Sequence, residues 1–321
     1  MKKIFFKLIL IAILFPLIQG CSGKNKVDDP ETKEAALNQE VVDEARMKEM
    51  IKEAENKAAS DSNLSDSESA AELSNNTDLL SDSGVRIFTE ERSATQKGAK
   101  VNITWPRTLS VLEADDVLVV VEVQNFELGI QTPSSRADEL SNSVNGQHVH
   151  LIVDNKPYKA IYDPGKPVNI GKLAPGPHSI FAFPGRSYHE SLKNHGASDL
   201  LNFYIAGSTG RFEVNDNTPA VFYNRPKGEY KGLAAKKIMF DFYLHNIKLS
   251  EGGVHAKYTV TKKGSAVEEY SIILTEWKPA FITGLTSGTY TVKIELVDSV
   301  GRIIKNVAYN GTSREIKIVS E

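Results

Sequence analysis

Residues 146–190 read GQHVHLIVDNKPYKAIYDPGKPVNIGKLAPGPHSIFAFPGRSYHE, and their pattern decides the fold class. His148, His150 and Ile152 alternate with Val149, Leu151 and Val153, which is the two-residue period of a strand. Asp154, Asn155, Lys156 and Pro157 supply turn chemistry, and residues 158–161 read as the returning strand. Pro164-Gly165 and Pro175-Gly176 punctuate two more turns, with strand-like runs at 168–173 and 178–183. No helical period interrupts this series. Short strands at such spacing predict an antiparallel β-sandwich.

The pattern recurs nearer the C-terminus. GVHAKYTV at 253–260 echoes the histidine strand, and TGLTSGTYTV at 283–292 echoes GKLAPGPHSI at 171–180. Asn125-Phe126-Glu127-Leu128 matches Asn246-Ile247-Lys248-Leu249, and Tyr204 to Ser208 matches Tyr309 to Thr312 with its preceding alanine. Two copies of one sandwich account for these echoes. The chain is thus expected to be all-β, with two tandem antiparallel sandwiches behind a signal peptide, a charged helix and a disordered tether.

The chain has 321 residues, a formal net charge of -3 and a single cysteine. The charge balance offers no basic stripe for nucleic acid, and one cysteine excludes an intramolecular disulfide. Lys2 and Lys3 precede an apolar run over 4–18, followed by Ile18-Gln19-Gly20-Cys21. This resembles the signal of bacterial lipoproteins, whose lipobox ends in a small residue and the lipidated cysteine. The resemblance implies acylation at Cys21 and a bacterial cell-envelope location. Ser22 in the next position implies the outer membrane, with the membrane itself as a partner through the lipid anchor.

Asp29-Pro30-Glu31 is a helix start, and the Ala, Glu and Lys composition that follows predicts a charged stalk over 22–59. From Ser60 the chain is rich in Ser, Asp and Asn, and a disordered tether is expected over 60–100. The first sandwich is assigned to 101–215 and the second to 216–321. VLVVVEV at 117–123 is expected to be a central core strand, with KIMFDFYL at 237–244 as its counterpart. This strand pattern is similar to immunoglobulin-like and fibronectin-III-like modules of bacterial surface proteins, over about the last two-thirds of the chain, and the resemblance implies the architecture alone.

Aligning the copies shows where the first is longer: around residues 129–145 and around 186–199. Elaborated loops on a rigid scaffold are where binding is usually placed. His148, His150, Arg186, Tyr188, His189, Glu190 and His195 are therefore expected to converge at one end of the first sandwich. Two His at i and i+2 on a strand, with His189 from the loop, have the donor types for zinc or copper. Tyr188 and Arg186 suit a carbohydrate or a macromolecular partner at the same loops. The sequence has no cysteine nucleophile in its body, no nucleophile elbow and no phosphate loop, so a non-catalytic binding or structural role is expected.

Overall fold

The structure is a computed structural model, and it describes residues 78–80, 84–113, 116–265 and 269–319. The expected signal peptide, Cys21, the stalk over 22–59 and residues 60–77 of the expected tether lie outside the described residues.

The chain opens with β1 (Asp78–Leu80), β2 (Arg86–Thr89), β3 (Lys100–Trp105), β4 (Val111–Leu112) and β5 (Val117–Gln124). Then come β6 (His148–Val153), β7 (Lys159–Ile161), β8 (Val168–Gly171), β9 (Gly176–Gly185) and β10 (Asp199–Ile205). The second half contains β11 (Ala220–Arg225), β12 (Gly228–Lys231), β13 (Lys237–His245) and β14 (His255–Lys262). It closes with β15 (Glu269–Leu274), β16 (Ala280–Thr283), β17 (Gly288–Val297) and β18 (Ser313–Val319).

These strands form an all-β architecture of mostly antiparallel sheets. In the first sandwich, a sheet ordered β4-β10-β9-β6-β7 faces the sheet β3-β5-β8. Val117, Val119 and Val121 of β5 meet Val149 and Leu151 of β6 and Ile180 and Ala182 of β9 in one core. The hairpin between β6 and β7 turns on Asp154 and Asn155, with φ of 48° and 52°. Left-handed backbone at both central positions is what a two-residue turn between twisted strands requires.

In the second sandwich, a sheet ordered β1-β2-β16-β13-β11 faces β12-β18-β17-β14-β15. Its core holds Val221, Phe240, Phe242, Ala256, Tyr258, Val260 and Ile294. Residues 84–100 do not continue the tether as expected. Ile87 of β2 is buried and pairs with Ile282 of β16, so the second sandwich takes a strand from ahead of the first. The reason is local: Arg86-Ile87-Phe88-Thr89 carries enough apolar surface to complete a sheet edge, in a segment whose average composition is polar.

The two sandwiches share an apolar seam. Ile152, Phe181 and Phe183 point away from the first core and pack on Ala220, Phe222 and Tyr243, which point away from the second. The Phe181 and Phe222 rings stack with centroids 3.9 Å apart. Both faces of β11 and β13 are therefore buried, and so is the outward face of β6.

Candidate functional site

The seam changes what the histidine strand can do. His148 and His150 lie on the outward face of β6 at 0% exposure: Asn224 of the second sandwich meets His150, while Tyr158, Tyr162 and His189 of the first surround His148. His189, partly buried, reaches them from the loop after β9, and one ring nitrogen from each of the three lies within 4.8 Å of the others. The backbone of His189 has φ of 71°. That left-handed conformation costs a non-glycine residue about 1–2 kcal/mol, so the surrounding packing must hold the loop there.

Hydrogen bonds fix which nitrogens face inward. His148 Nδ1 donates to the Gly146 carbonyl at 2.8 Å. His150 Nδ1 donates to Asn224 Oδ1 at 2.6 Å. The Asn224 amide cannot be turned round, because its Nδ2 donates to the His189 carbonyl at 3.0 Å and to Asp241 Oδ2 at 2.6 Å. With both Nδ1 atoms serving as donors, the neutral rings turn their Nε2 lone pairs toward each other, 2.9 Å apart. His189 Nδ1 is 3.1 Å from His148 Nε2 and 3.1 Å from the Tyr158 hydroxyl. The rings of His150 and Tyr158 stack at 3.8 Å.

Burial keeps these imidazoles neutral. It lowers His148 to about 4, with the Arg225 and Lys227 charges adding to the effect. His150 is held well below its ordinary value, first by burial and then by His148 and His189. His189 is lowered likewise, by burial and then by Arg225. A proton shared between the two Nε2 atoms is thus disfavoured at neutral pH, although their spacing calls for a cation. Two nitrogens on one tetrahedral zinc ion at about 2.0–2.1 Å stand about 3.3–3.4 Å apart, so a few tenths of an ångström of movement would seat one. Tyr158 is a phenol within reach as a fourth donor, although burial pushes its own pKa up to about 12. Gly185 makes room for the cluster: a Cβ built there would stand 2.5 Å from His150 Nε2.

The other expected site residues do not join this cluster. Tyr188 packs with Leu140, Met239 and Phe281, and its hydroxyl meets Ser93 Oγ at 2.7 Å. Glu190 pairs with Arg136 at 2.8 Å and accepts from Ser93 N at 2.9 Å, which fastens the incoming segment to the loop. Arg186 donates to the Ala94 carbonyl and lines a separate cleft of about 150 Å³ with Arg92, Ser93 and Glu190. His195 is exposed. The convergence of all seven fails because residues 91–96 lie over the elaborated loop and engage one side of it, while the second sandwich engages the other.

Sequence reasoning missed Asn224, Tyr158 and Asp241. Asn224 is the one residue between Phe222-Tyr223 and Arg225, and an amide directly after an apolar run is the signal of its buried polar role. Asp241 likewise interrupts an apolar strand, where it forms a buried ion pair with Lys193 and accepts from Ser191 N.

No protein-family model and no curated protein matches the chain. Among solved structures it is similar to the fibronectin(III)-like modules of Clostridium thermocellum CbhA, at 12% identity and a TM-score of 0.21, covering 69% of this chain and 94% of that one. It is also similar to dimeric latent PorU from Porphyromonas gingivalis, at 12% identity and a TM-score of 0.25, covering 70% of this chain and 20% of that one. Chicken CNTN1 FN1-FN3 domains match at 12% identity and a TM-score of 0.21, covering 72% of this chain and 68% of that one.

Proposed function

We propose that this chain is a bacterial cell-envelope protein, lipid-anchored through Cys21, whose sandwiches bind a transition-metal ion, zinc or copper, without catalysing a reaction. The lipobox-like signal supports the anchor and the outer-membrane location. The metal reading is carried by one observation: two buried, neutral imidazoles whose Nδ1 atoms are committed as donors and whose Nε2 atoms face each other at 2.9 Å. Lone pairs so placed repel unless a cation lies between them. His148, His150 and His189 would be the ligands, and Asn224 would orient His150 from the opposite sandwich, as outer partners of metal-bound histidines do. With Tyr158 closing the fourth position, the site has the character of a structural centre rather than an open catalytic one. The ion would then pin the seam.

Elemental analysis of purified protein and calorimetry with zinc and copper test this. The double change His148→Ala with His150→Ala should abolish binding, whereas His255→Ala in the second copy should leave it intact. If the chelator-treated protein takes up neither ion at micromolar concentration, or the double variant still binds, the metal reading fails.

A further inference from the structure

Beside the histidine centre, Arg225, Lys227 and Arg314 converge from the end of β11, the turn that follows it and β18. Arg225 is 5% exposed, and its guanidinium keeps its charge at any pH a protein survives. Its side chain donates to the Tyr158 hydroxyl at 3.4 Å and stands 5.5 Å from the Tyr230 ring, and no carboxylate is among its partners in the described residues. Lys227 Nζ donates to the Tyr158 carbonyl at 2.8 Å and sits 3.5 Å over that ring. Arg314 donates to the Asn155 and Asn224 carbonyls at 3.0 and 3.4 Å and stacks 4.3 Å over Tyr223. None of the three has an ion pair with a carboxylate among the described residues. Elsewhere Lys193 pairs with Asp241 and Arg136 with Glu190, whereas the buried Arg186 has only the Ala94 carbonyl.

Three cations at one place, one of them buried and unable to discharge, are strongly unfavourable without a counter-charge. Neutral tyrosines and carbonyls solvate them only in part. A second, independent observation comes from the same neighbourhood. The hydroxyls of Tyr223 and Tyr258 are buried without any hydrogen-bond partner, and both phenols feel the Arg314 charge. Unpaired buried donors of this kind are rare in folded proteins. Two guanidiniums, an ammonium and spare phenolic O–H groups form the donor set that recognises an oxyanion.

We propose that Arg225, Lys227 and Arg314 form a binding site for a small oxyanion, a phosphate-type or carboxylate group, entering where Lys227 and Arg314 are partly exposed. The site does not depend on the histidine centre being loaded, and it is tested on chelator-treated protein so that failure of either reading is read separately. Calorimetry and thermal melts are run with inorganic phosphate, sulfate and acetate at ionic strength matched with chloride. At least one should bind at millimolar concentration or below and raise the melting temperature. Response to phosphate and sulfate identifies the phosphoryl-type class, and response to acetate the carboxylate class. Lys227→Met, at a partly exposed position, should weaken that binding by about tenfold or more. Arg225→Met should abolish it, and in chloride alone should melt no lower than wild type, because it removes an unpaired buried charge. If none of the three anions binds, or if Lys227→Met binds as wild type, the proposal is overturned. A folded Arg225→Met protein that still binds, or one that melts far below wild type in chloride alone, overturns it as well.

Discussion

β6 and β14 occupy the same place in their respective sandwiches and begin with the same residue type, yet only one of them gathers its histidines into a cluster. In β6 the core-facing residues are Val149 and Leu151, and in β14 they are Ala256, Tyr258 and Val260. The opposite faces differ completely. His148, His150 and Ile152 are buried, the last two against the second sandwich, while Lys257, Thr259 and Thr261 remain half-exposed. His255, which aligns with His148, bonds the Glu251 carbonyl at 2.7 Å and meets no other histidine among the described residues. A polar sheet face in water is ordinary. The same face desolvated, with His150 oriented from across the seam by Asn224 and His148 by the Gly146 carbonyl, brings two ring nitrogens to 2.9 Å. The seam, more than the His-x-His spacing, separates the two strands.

The most damaging way to break that contrast is to open the seam. Phe222 is buried at 1% exposure and stacks on Phe181. Phe222→Ala should cost about 3–5 kcal/mol, the usual range for losing a buried aromatic. It should also expose His148 and His150, so that zinc or copper affinity falls although no ligand has been altered. Urea unfolding measures the first effect and calorimetry the second. A variant that loses stability but binds metal as wild type would show that β6 alone suffices.

The division between what the sequence reveals and what it conceals follows the same line. The alternation of β6, the turn at Asp154-Asn155 and the apolar run of β5 are local patterns, and each places its residues as expected. The joining of His148, His150 and His189 also follows from strand phase and loop position. The seam depends on two surfaces meeting from distant parts of the chain. Its only trace in the sequence is that β11 and β13 read as continuous apolar runs, the mark of strands covered on both faces. Asn224 and Asp241 were hidden for the same reason: one buried polar residue in an apolar strand looks like noise until its partner strand is known. β2 escaped because four residues are too short a signal against the polar composition around them.

A second test uses protons. Burial lowers His148 to about 4, well under the 6.5 of an exposed imidazole. The unfolded chain therefore takes up a proton as pH falls below 6.5 while the folded, metal-free protein does not. The stability contributed by neutral His148 is present above pH 6.5 and is lost as pH falls toward 4. Over that window the loss amounts to about 3 kcal/mol for this one group, or about 1.4 kcal/mol per pH unit where the slope is full. His148→Gln removes the titration. Denaturant unfolding of chelator-treated protein between pH 6 and 5 should show a slope smaller by about that amount in the variant. Equal slopes would mean that His148 is solvated in the folded state, and the contrast with β14 would weaken.

The gentlest change asks whether the motif could work without the seam. Lys257 aligns with His150 and stands two residues beyond His255 on the half-exposed face of β14. Lys257→His therefore recreates the two-histidine strand in the second copy. Nothing comparable to Asn224 orients the new ring, and no covering sheet removes it from water. An exposed substitution on a strand should shift stability by no more than about 0.5 kcal/mol, and metal stoichiometry should stay at one ion per chain. The new imidazole at 257 would be half-exposed and free to turn, and the buried His255, whose Nε2 is held by the Glu251 carbonyl, would have no third ligand to share with it. If calorimetry on Lys257→His instead finds a second micromolar zinc or copper site, the spacing is sufficient and the covered face of β6 is incidental. If the stoichiometry is unchanged, desolvation and orientation across the seam remain the physical difference between the two strands.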